Sequence, residues 1–257
     1  MGGAIDMKWS CEEGIIQIAT GKKHQDEAVI CAKRIRPYIN DRPITLETDN
    51  PERIENGLFD RVVRHPDARN SYRDKILPLL KLPYNRTLFL DTDIELLSSI
   101  DDIFQILKSV DLVGCHAPVR WSGWRSEEVP DGFTEMNSGV LGIKRCSKQR
   151  SLIRYWLKLY DIIGIEFDQA TLRAALWHAV SKRGLRTWVL PQEYNLRTPK
   201  PWLTGAGMEV KILHGRVPEE MREQLRTYLN GNIEQFRCSS EFQTNQNQEI
   251  IKHRWGK

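Results

Sequence analysis

Two carboxylates one residue apart, Asp91 and Asp93, follow directly on Thr87-Leu88-Phe89-Leu90, a run with no polar alternation. Such a run reads as a short strand buried on both faces. Acids at the carboxyl edge of a strand, separated by a single residue, can project to the same side and hold a hard divalent cation through oxygen. The same spacing also suits a turn, because Asp is a common turn former. A third candidate ligand stands far downstream, where Lys211 to Leu213 reads as a strand delivering His214-Gly215-Arg216 to a loop. A lone His is more often structural than metal-bound, but the glycine beside it permits close approach of backbone and ligand. If that strand runs beside the central one, His214 reaches Asp91 and Asp93.

These residues need elements that gather strand ends in one place, and the chain supplies alternating strand and helix signals. Gly14 to Ala19 reads as a strand ending in Thr20-Gly21, and Gln25 to Tyr38 as a helix with apolar positions at Ala28, Cys31, Ala32 and Ile35. Ile44 to Thr48 is a second strand, opened by Pro43 and closed by Asp49-Asn50-Pro51. Leu58 to Val63 is a short third, and Ser71 to Leu80 is a helix carrying Lys75. Beyond the acids, helices are expected over Ile100 to Lys108, Ser151 to Tyr160, Asp168 to Val180 and Pro218 to Leu229. Strands are expected at Leu112 to Gly114, Val140 to Ile143 and Trp188 to Leu190. Trp156 and Tyr160 fall on one stripe with Leu152 and Ile153 and so read as core. The alternation predicts an open α/β sheet with its ligands outside the carboxyl ends of the strands, where Asp91 and Asp93 stand.

His116 to Met136 has no regular period and holds Pro118, Arg120, Trp121, Trp124, Arg125 and Pro130. Loops of that length inside a domain are usually binding elements or lids. From Asn230 the sequence turns polar and Gln/Asn-rich, which predicts a loosely held tail over 230–257 behind a single domain over 1–229.

The 257 residues suffice for one sizeable core, and 40% hydrophobic with 28% charged residues is an ordinary globular balance. A net charge of +4 is spread among acids and forms no block beyond Lys22-Lys23 and Arg34-Ile35-Arg36, so no nucleic-acid partner is expected. No apolar run is long enough to span a membrane. Met1 to Ser10 lacks the order of a signal peptide, and Asp6 stands where a myristoylation site wants Ser or Thr. Five cysteines, odd in number and without Cys-x-x-Cys spacing, fit free thiols in the cytoplasm.

Taken in order, Lys75, Leu88-Phe89-Leu90-Asp91-Thr92-Asp93, Asn137-Ser138-Gly139-Val140, Asp168-Gln169 and His214-Gly215 resemble the nucleotide-sugar glycosyltransferases of the GT-A fold. The resemblance is closest to family eight, the glycogenin and lipopolysaccharide galactosyltransferase group, and runs from about Gly14 to Arg216. It implies an open, mixed, mostly parallel sheet flanked by helices. It implies that Asp91, Asp93 and His214 bind Mn²⁺, or Mg²⁺ in its place, and that the ion bridges the diphosphate of a nucleotide-sugar donor, with UDP as the expected nucleotide. Lys75 and Arg216 would approach the phosphates or the sugar, and Ala19, Thr20 and Gly21 would line the nucleotide pocket, with Thr92 and Gly215 beside the diphosphate. Asn137, Ser138, Gly139, Asp168 and Gln169 would meet the transferred sugar, the last acid and amide as the catalytic pair. The acceptor would be a glycan, a lipid-linked sugar or a protein, and Trp121 and Trp124 would meet it, since indole rings stack on sugar faces while presenting an N–H.

Two other classes use the same residues. Haloacid-dehalogenase-like phosphatases present a nucleophilic Asp and a general acid as Asp-x-Asp with Mg²⁺, usually on the first strand, with Thr or Val where this chain has Glu95. A non-catalytic module binding sugar nucleotides could carry the same fold.

Overall fold

The aliphatic and β-branched runs form strands covered on both faces. In the computed structural model, which describes residues 11–245, β1 (Glu13–Ala19), β2 (Ile44–Thr48) and β3 (Arg61–Arg64) are parallel neighbours, and β1 also pairs in parallel with β4 (Arg86–Leu90). The chain leaves this sheet at β5 (Ile94–Leu96) and returns as β6 (Leu112–His116) and β7 (Met136–Lys144), an antiparallel pair. With β7 antiparallel to β4 and β8 (Thr187–Val189) parallel to β6, the seven-stranded order is β3-β2-β1-β4-β7-β6-β8. The readings made on Met1 to Ser10 and on 246–257 lie outside the described residues.

Alternation along the strands feeds two cores. Ile15, Leu46, Leu88, Leu90 and Val113 face α1 (Lys22–Ile35) and α2 (Asp101–Ser109), where Ala28, Ile35, Ile103 and Phe104 meet them. Ile16, Phe89, Leu141 and Ile143 face α3 (Ser147–Ile163) and α4 (Gln169–Arg183), against Leu152, Trp156, Leu172 and Leu176. Trp156 and Tyr160 are core, as their stripe predicts. Among the described residues no helix is long and apolar enough to cross a membrane, and all five cysteines are free thiols.

A smaller layer holds β5 against β11 (Ile212–His214), which runs parallel to β9 (Leu196–Arg197). The expectation that the last strand lies beside the central one is corrected here. It pairs with β5, the three residues that follow Asp93, and His214 sits opposite Ile94. Beneath it, Leu213 packs with Trp202, with Met221 and Leu225 of α5 (Glu219–Asn230), and with Phe242.

Other departures have local causes. Ser71 to Leu80 is not one α-helix but two 3-10 turns, Tyr72–Lys75 and Leu77–Lys81, because Pro78 has no N–H to give and disfavours helical geometry at Leu77. The third strand begins only at Arg61, since Phe59 turns into the core. Asn137-Ser138-Gly139 lies inside β7, not in a turn before it. The polar stretch after Asn230, expected as a loose tail, is held as far as Phe242. The short β10 (Leu203–Thr204) pairs with β12 (Arg237–Cys238), which runs into α6 (Ser239–Asn245). Buried Arg237 donates to the carbonyls of Leu229, Gly205 and Met208, and Phe242 is 1% exposed. Burying one Phe contributes about 1.5–3 kcal/mol, enough to anchor a short polar segment whose composition hides it.

Candidate active site

Backbone hydrogen bonds fix the Asp-Thr-Asp loop at both ends. The Asp91 N–H donates to the Gly139 carbonyl (2.8 Å), and the Gly215 N–H donates to the Asp93 carbonyl (2.9 Å). With β5 paired to β11, one oxygen each of Asp91 and Asp93 and a ring nitrogen of His214 lie within 4.8 Å of one another. His214 Nε2 is 3.3 Å from Asp93 Oδ1 and 3.8 Å from Asp91 Oδ2. Two glycines make the approach possible. A Cβ on Gly139 would collide with the Asp91 carboxylate and the His214 ring. Gly215 holds φ at +134°, where a Cβ would strike the Thr198 carbonyl.

Side chains then orient the imidazole. His214 Nδ1 is 2.8 Å from Asn195 Oδ1, the Asn195 amide donates to Asn137 Oδ1 (2.8 Å), and the Asn137 amide donates to Gln169 Oε1. An amide oxygen only accepts, so Nδ1 carries the proton and Nε2 keeps its lone pair toward the two carboxylates. Arg197 Nη1 sits 3.2 Å from the same Nε2. Burial works against ionising Asp93, yet a proton on His214 Nε2, when the ring carries one there, and the charges of Arg216 and Arg197 outweigh it and hold this carboxylate below the usual range; a bound cation would take that proton's place. Three acceptors pointed at one spot, two anionic and one imidazole, match what a divalent transition ion requires. The donor set fits a divalent metal ion.

Beside this corner stands a second one. Lys75 Nζ is 3.0 Å from Ser138 Oγ, 3.4 Å from Asp168 Oδ2 and 3.5 Å from Asp91 Oδ2. Burial opposes its charge, but Asp168 and Asp91 prevail and raise its pKa. Asp168 occupies the N-cap position of α4 without capping it. Its carboxylate is buried, and Oδ2 has no hydrogen-bond partner besides the Lys75 ion pair. Burial pushes its pKa up although Lys75 pulls the other way. Lys75, Asn137, Ser138, Gly139, Asp168 and Gln169, scattered over about ninety-five positions (169 − 75 = 94), are thus brought to one place beside Asp91.

The strand-end residues expected around a nucleotide bond to neighbouring elements. Ala19 is buried in the core. The Thr20 hydroxyl donates to Asp74 (2.7 Å), and the Gly21 N–H donates to the Asp49 carboxylate (3.1 and 3.2 Å). The Thr92 hydroxyl donates to Glu27 of α1 (3.1 Å), and Arg216 forks onto the same carboxylate at 2.7 and 3.0 Å, with Nη1 3.7 Å from Asp93. Partial burial of Glu27 favours its neutral form, but hydrogen bonds from His24 and Arg216 prevail and hold its pKa down to about 2. Asn195, Arg197, Glu27 and Asp49 are the residues that sequence reasoning missed. Only Asp49 gave a signal, at the end of the second strand.

Residues 117–135 cross the helical face as a pinned loop. Buried Arg173 of α4 donates to the carbonyls of Phe133 (2.5 Å), Pro130 (2.8 Å) and Val129 (3.2 Å), and Ser122 donates twice to buried Glu135 (2.7 Å each). Trp121 lies near two guanidiniums, Arg125 at 4.5 Å and Arg173 at 4.9 Å from its ring.

The sequence matches no protein-family model and no curated protein. Among solved structures, an active-site mutant of LgtC is similar, at 14% identity over 85% of this chain and 95% of that one, with a TM-score of 0.56. Likeness at that identity bears on architecture alone, and the mixed, mostly parallel sheet flanked by helices is the GT-A fold of the glycosyltransferases.

Proposed function

We propose that this chain is a metal-dependent glycosyltransferase, moving a sugar from a nucleotide-diphosphate sugar, with UDP as the nucleotide, to a hydroxyl of a glycan, a lipid-linked sugar or a protein. The observation that carries it is the convergence of Asp91, Asp93 and His214 beside the buried Lys75–Asp168 pair. In the reaction the bond between the anomeric carbon and the diphosphate breaks, and a bond to the acceptor oxygen forms. The nucleoside diphosphate leaves with the electron pair and its departing oxygen takes up the acceptor's proton. Asp91, Asp93 and His214 would hold Mn²⁺, which when bound supplies charge against the developing negative charge of the leaving group.

The chain's own groups do the rest. Lys75 stands between the cation corner and the sugar corner and can bond a phosphate oxygen or a sugar hydroxyl. Arg216, already 3.7 Å from Asp93, can add a second cation to the diphosphate. Asp168 Oδ2, held only by the Lys75 ammonium at 3.4 Å, is suited to accept a hydrogen bond from a sugar hydroxyl, and Gln169 and Asn137 add an amide pair on the same side. Membership of family eight and a cytoplasmic setting, in keeping with the free thiols, belong to this reading. The phosphatase alternative gives Asn137 and His214 no task, whereas transfer uses both.

The test is to incubate the protein with a panel of nucleotide sugars and Mn²⁺, following release of the nucleoside diphosphate and the thermal shift given by UDP with Mn²⁺. Stabilisation by UDP·Mn²⁺ with slow donor hydrolysis is expected. Stabilisation without any turnover, even with acceptors present, would favour the non-catalytic module. Indifference to every nucleotide would remove both readings.

A further inference from the structure

Away from the carboxylates, the outer side of the α3/α4 pair carries a groove of about 370 Å³, within the range of roughly 300–1,000 Å³ in which proteins hold small organic ligands. Tyr155 and Leu159 of α3, Trp177 and His178 of α4, and Trp124 and Glu128 of the 117–135 loop line it. The groove is preformed. Arg173 ties the loop to α4 through three carbonyls, Phe133 stands edge-on to Trp177 at 5.2 Å, and the Tyr155 and His178 rings meet at 4.7 Å. A ligand entering would therefore order little of the protein.

The chemistry of the lining selects a ligand class. Aromatic rings line the groove together with hydrogen-bonding groups of the indoles, the phenol, the imidazole and the Ser126 and Ser181 hydroxyls. One carboxylate, Glu128, and one ammonium, Lys182, leave no excess of either sign. A lipid chain would strand those polar groups, and a polyanion would need more cations. A neutral pyranose chain, with C–H faces and a rim of hydroxyls, matches both features.

The groove also has a direction. α4 starts beside Asp168, and at 1.5 Å per residue Ala174 and Lys182, the first and last residues of α4 in the lining, lie about 9 and 21 Å farther along the helix. We propose that this groove binds the distal units of a neutral oligosaccharide acceptor whose reacting end reaches the Lys75–Asp168 corner. The proposal rests on the transferase reading above. It assigns the two expected tryptophans different tasks, with Trp124 on the acceptor chain and Trp121 held beside Arg125 and Arg173.

Immobilised neutral oligosaccharides of increasing length test it, one arm drawn from polysaccharides and one from protein N- and O-glycans, probed with the full chain. The expected result is retention that grows with length in one arm and falls about tenfold in Trp124→Ala and in Ser181→Arg, the equivalent of one aromatic contact. Ser181 is exposed on its helix, so Arg there fills the groove without touching the core. The thermal shift with UDP·Mn²⁺, measured on the same proteins, should be equal in all three. Failure to retain any oligosaccharide, retention by both variants equal to that of the unaltered chain, or retention of charged saccharides or peptides alone overturns the proposal. Retention without a UDP·Mn²⁺ shift in any protein keeps the groove as a saccharide site and overturns the transferase reading instead.

Discussion

At the cation corner, main-chain hydrogen bonds and strand pairing set the positions. Asp91 and Asp93 are tied through their backbones to Gly139 and Gly215, and His214 is delivered by the pairing of β11 with β5. At the sugar corner, side chains set the positions, through Lys75, Ser138, Asp168 and the Asn137–Gln169 pair. The difference shows in what each corner leaves unsatisfied. The first aims three acceptors at one point, which calls for a cation. The second buries a carboxylate oxygen whose one close partner is the Lys75 ammonium at 3.4 Å, which leaves capacity for a further donor such as a hydroxyl. Substitutions in the first should remove a charge and spare the scaffold, and substitutions in the second should disturb neighbours.

The sharpest way to break this division is Asp93→Ala. Its backbone bond to Gly215 survives the change, so the fold should hold while Mn²⁺-dependent turnover falls about 10³-fold or more. Full activity in the presence of EDTA would contradict it. Asp168→Asn comes next, with kcat expected to fall about 10²-fold and UDP·Mn²⁺ affinity unchanged. Calorimetry showing a parallel loss of UDP affinity would mean that the two corners are one.

Asn195→Ala probes the junction, because Asn195 bonds both His214 and Asn137. Losing the partner that fixes a ligating imidazole costs about 10- to 100-fold in metal affinity, which a Mn²⁺ titration in the presence of UDP would read. An unchanged titration would leave Asn195 with the sugar corner alone. The smallest effect is expected at Glu27. Its folded pKa of about 2 lies below the ordinary 4.5, so between those values the unfolded chain binds more protons. The stability it contributes is present above about pH 4.5 and is lost as pH falls toward 2. Urea unfolding of Glu27→Gln should show a shallower loss across that window, and an identical slope would mean that Arg216 and His24 do not hold it.

The same contrast explains what could be read without a structure. Leu88-Phe89-Leu90 announces a doubly covered strand, and the acids after it were legible because burial of a strand leaves its polar residues at the edge. Sequence order and type, through family resemblance, pointed to Lys75, Asn137, Asp168 and His214. Asn195 carried no local signal, since an Asn after Pro191-Gln192-Glu193-Tyr194 reads equally as a turn. The β5–β11 pairing was hidden too. Three-residue strands have little pattern of their own, and their register comes from the cluster around Leu213 and Phe242. Lys75 was placed on a helix that Pro78 does not allow, yet the 3-10 turn still delivers it.

The β5–β11 pairing also has a consequence in time. Asp93 and His214 are 121 positions apart in the chain (214 − 93 = 121), and the layer that steadies His214 includes Phe242, farther on still. At a synthesis rate of about 5–20 residues per second, the carboxylate pair emerges from the ribosome roughly 6–24 seconds before the imidazole does. During that interval the growing chain offers oxygen ligands alone, which suit magnesium better than a transition ion. On the transferase reading, any preference for a transition ion would therefore be acquired only once β11 has formed and closed over the two acids.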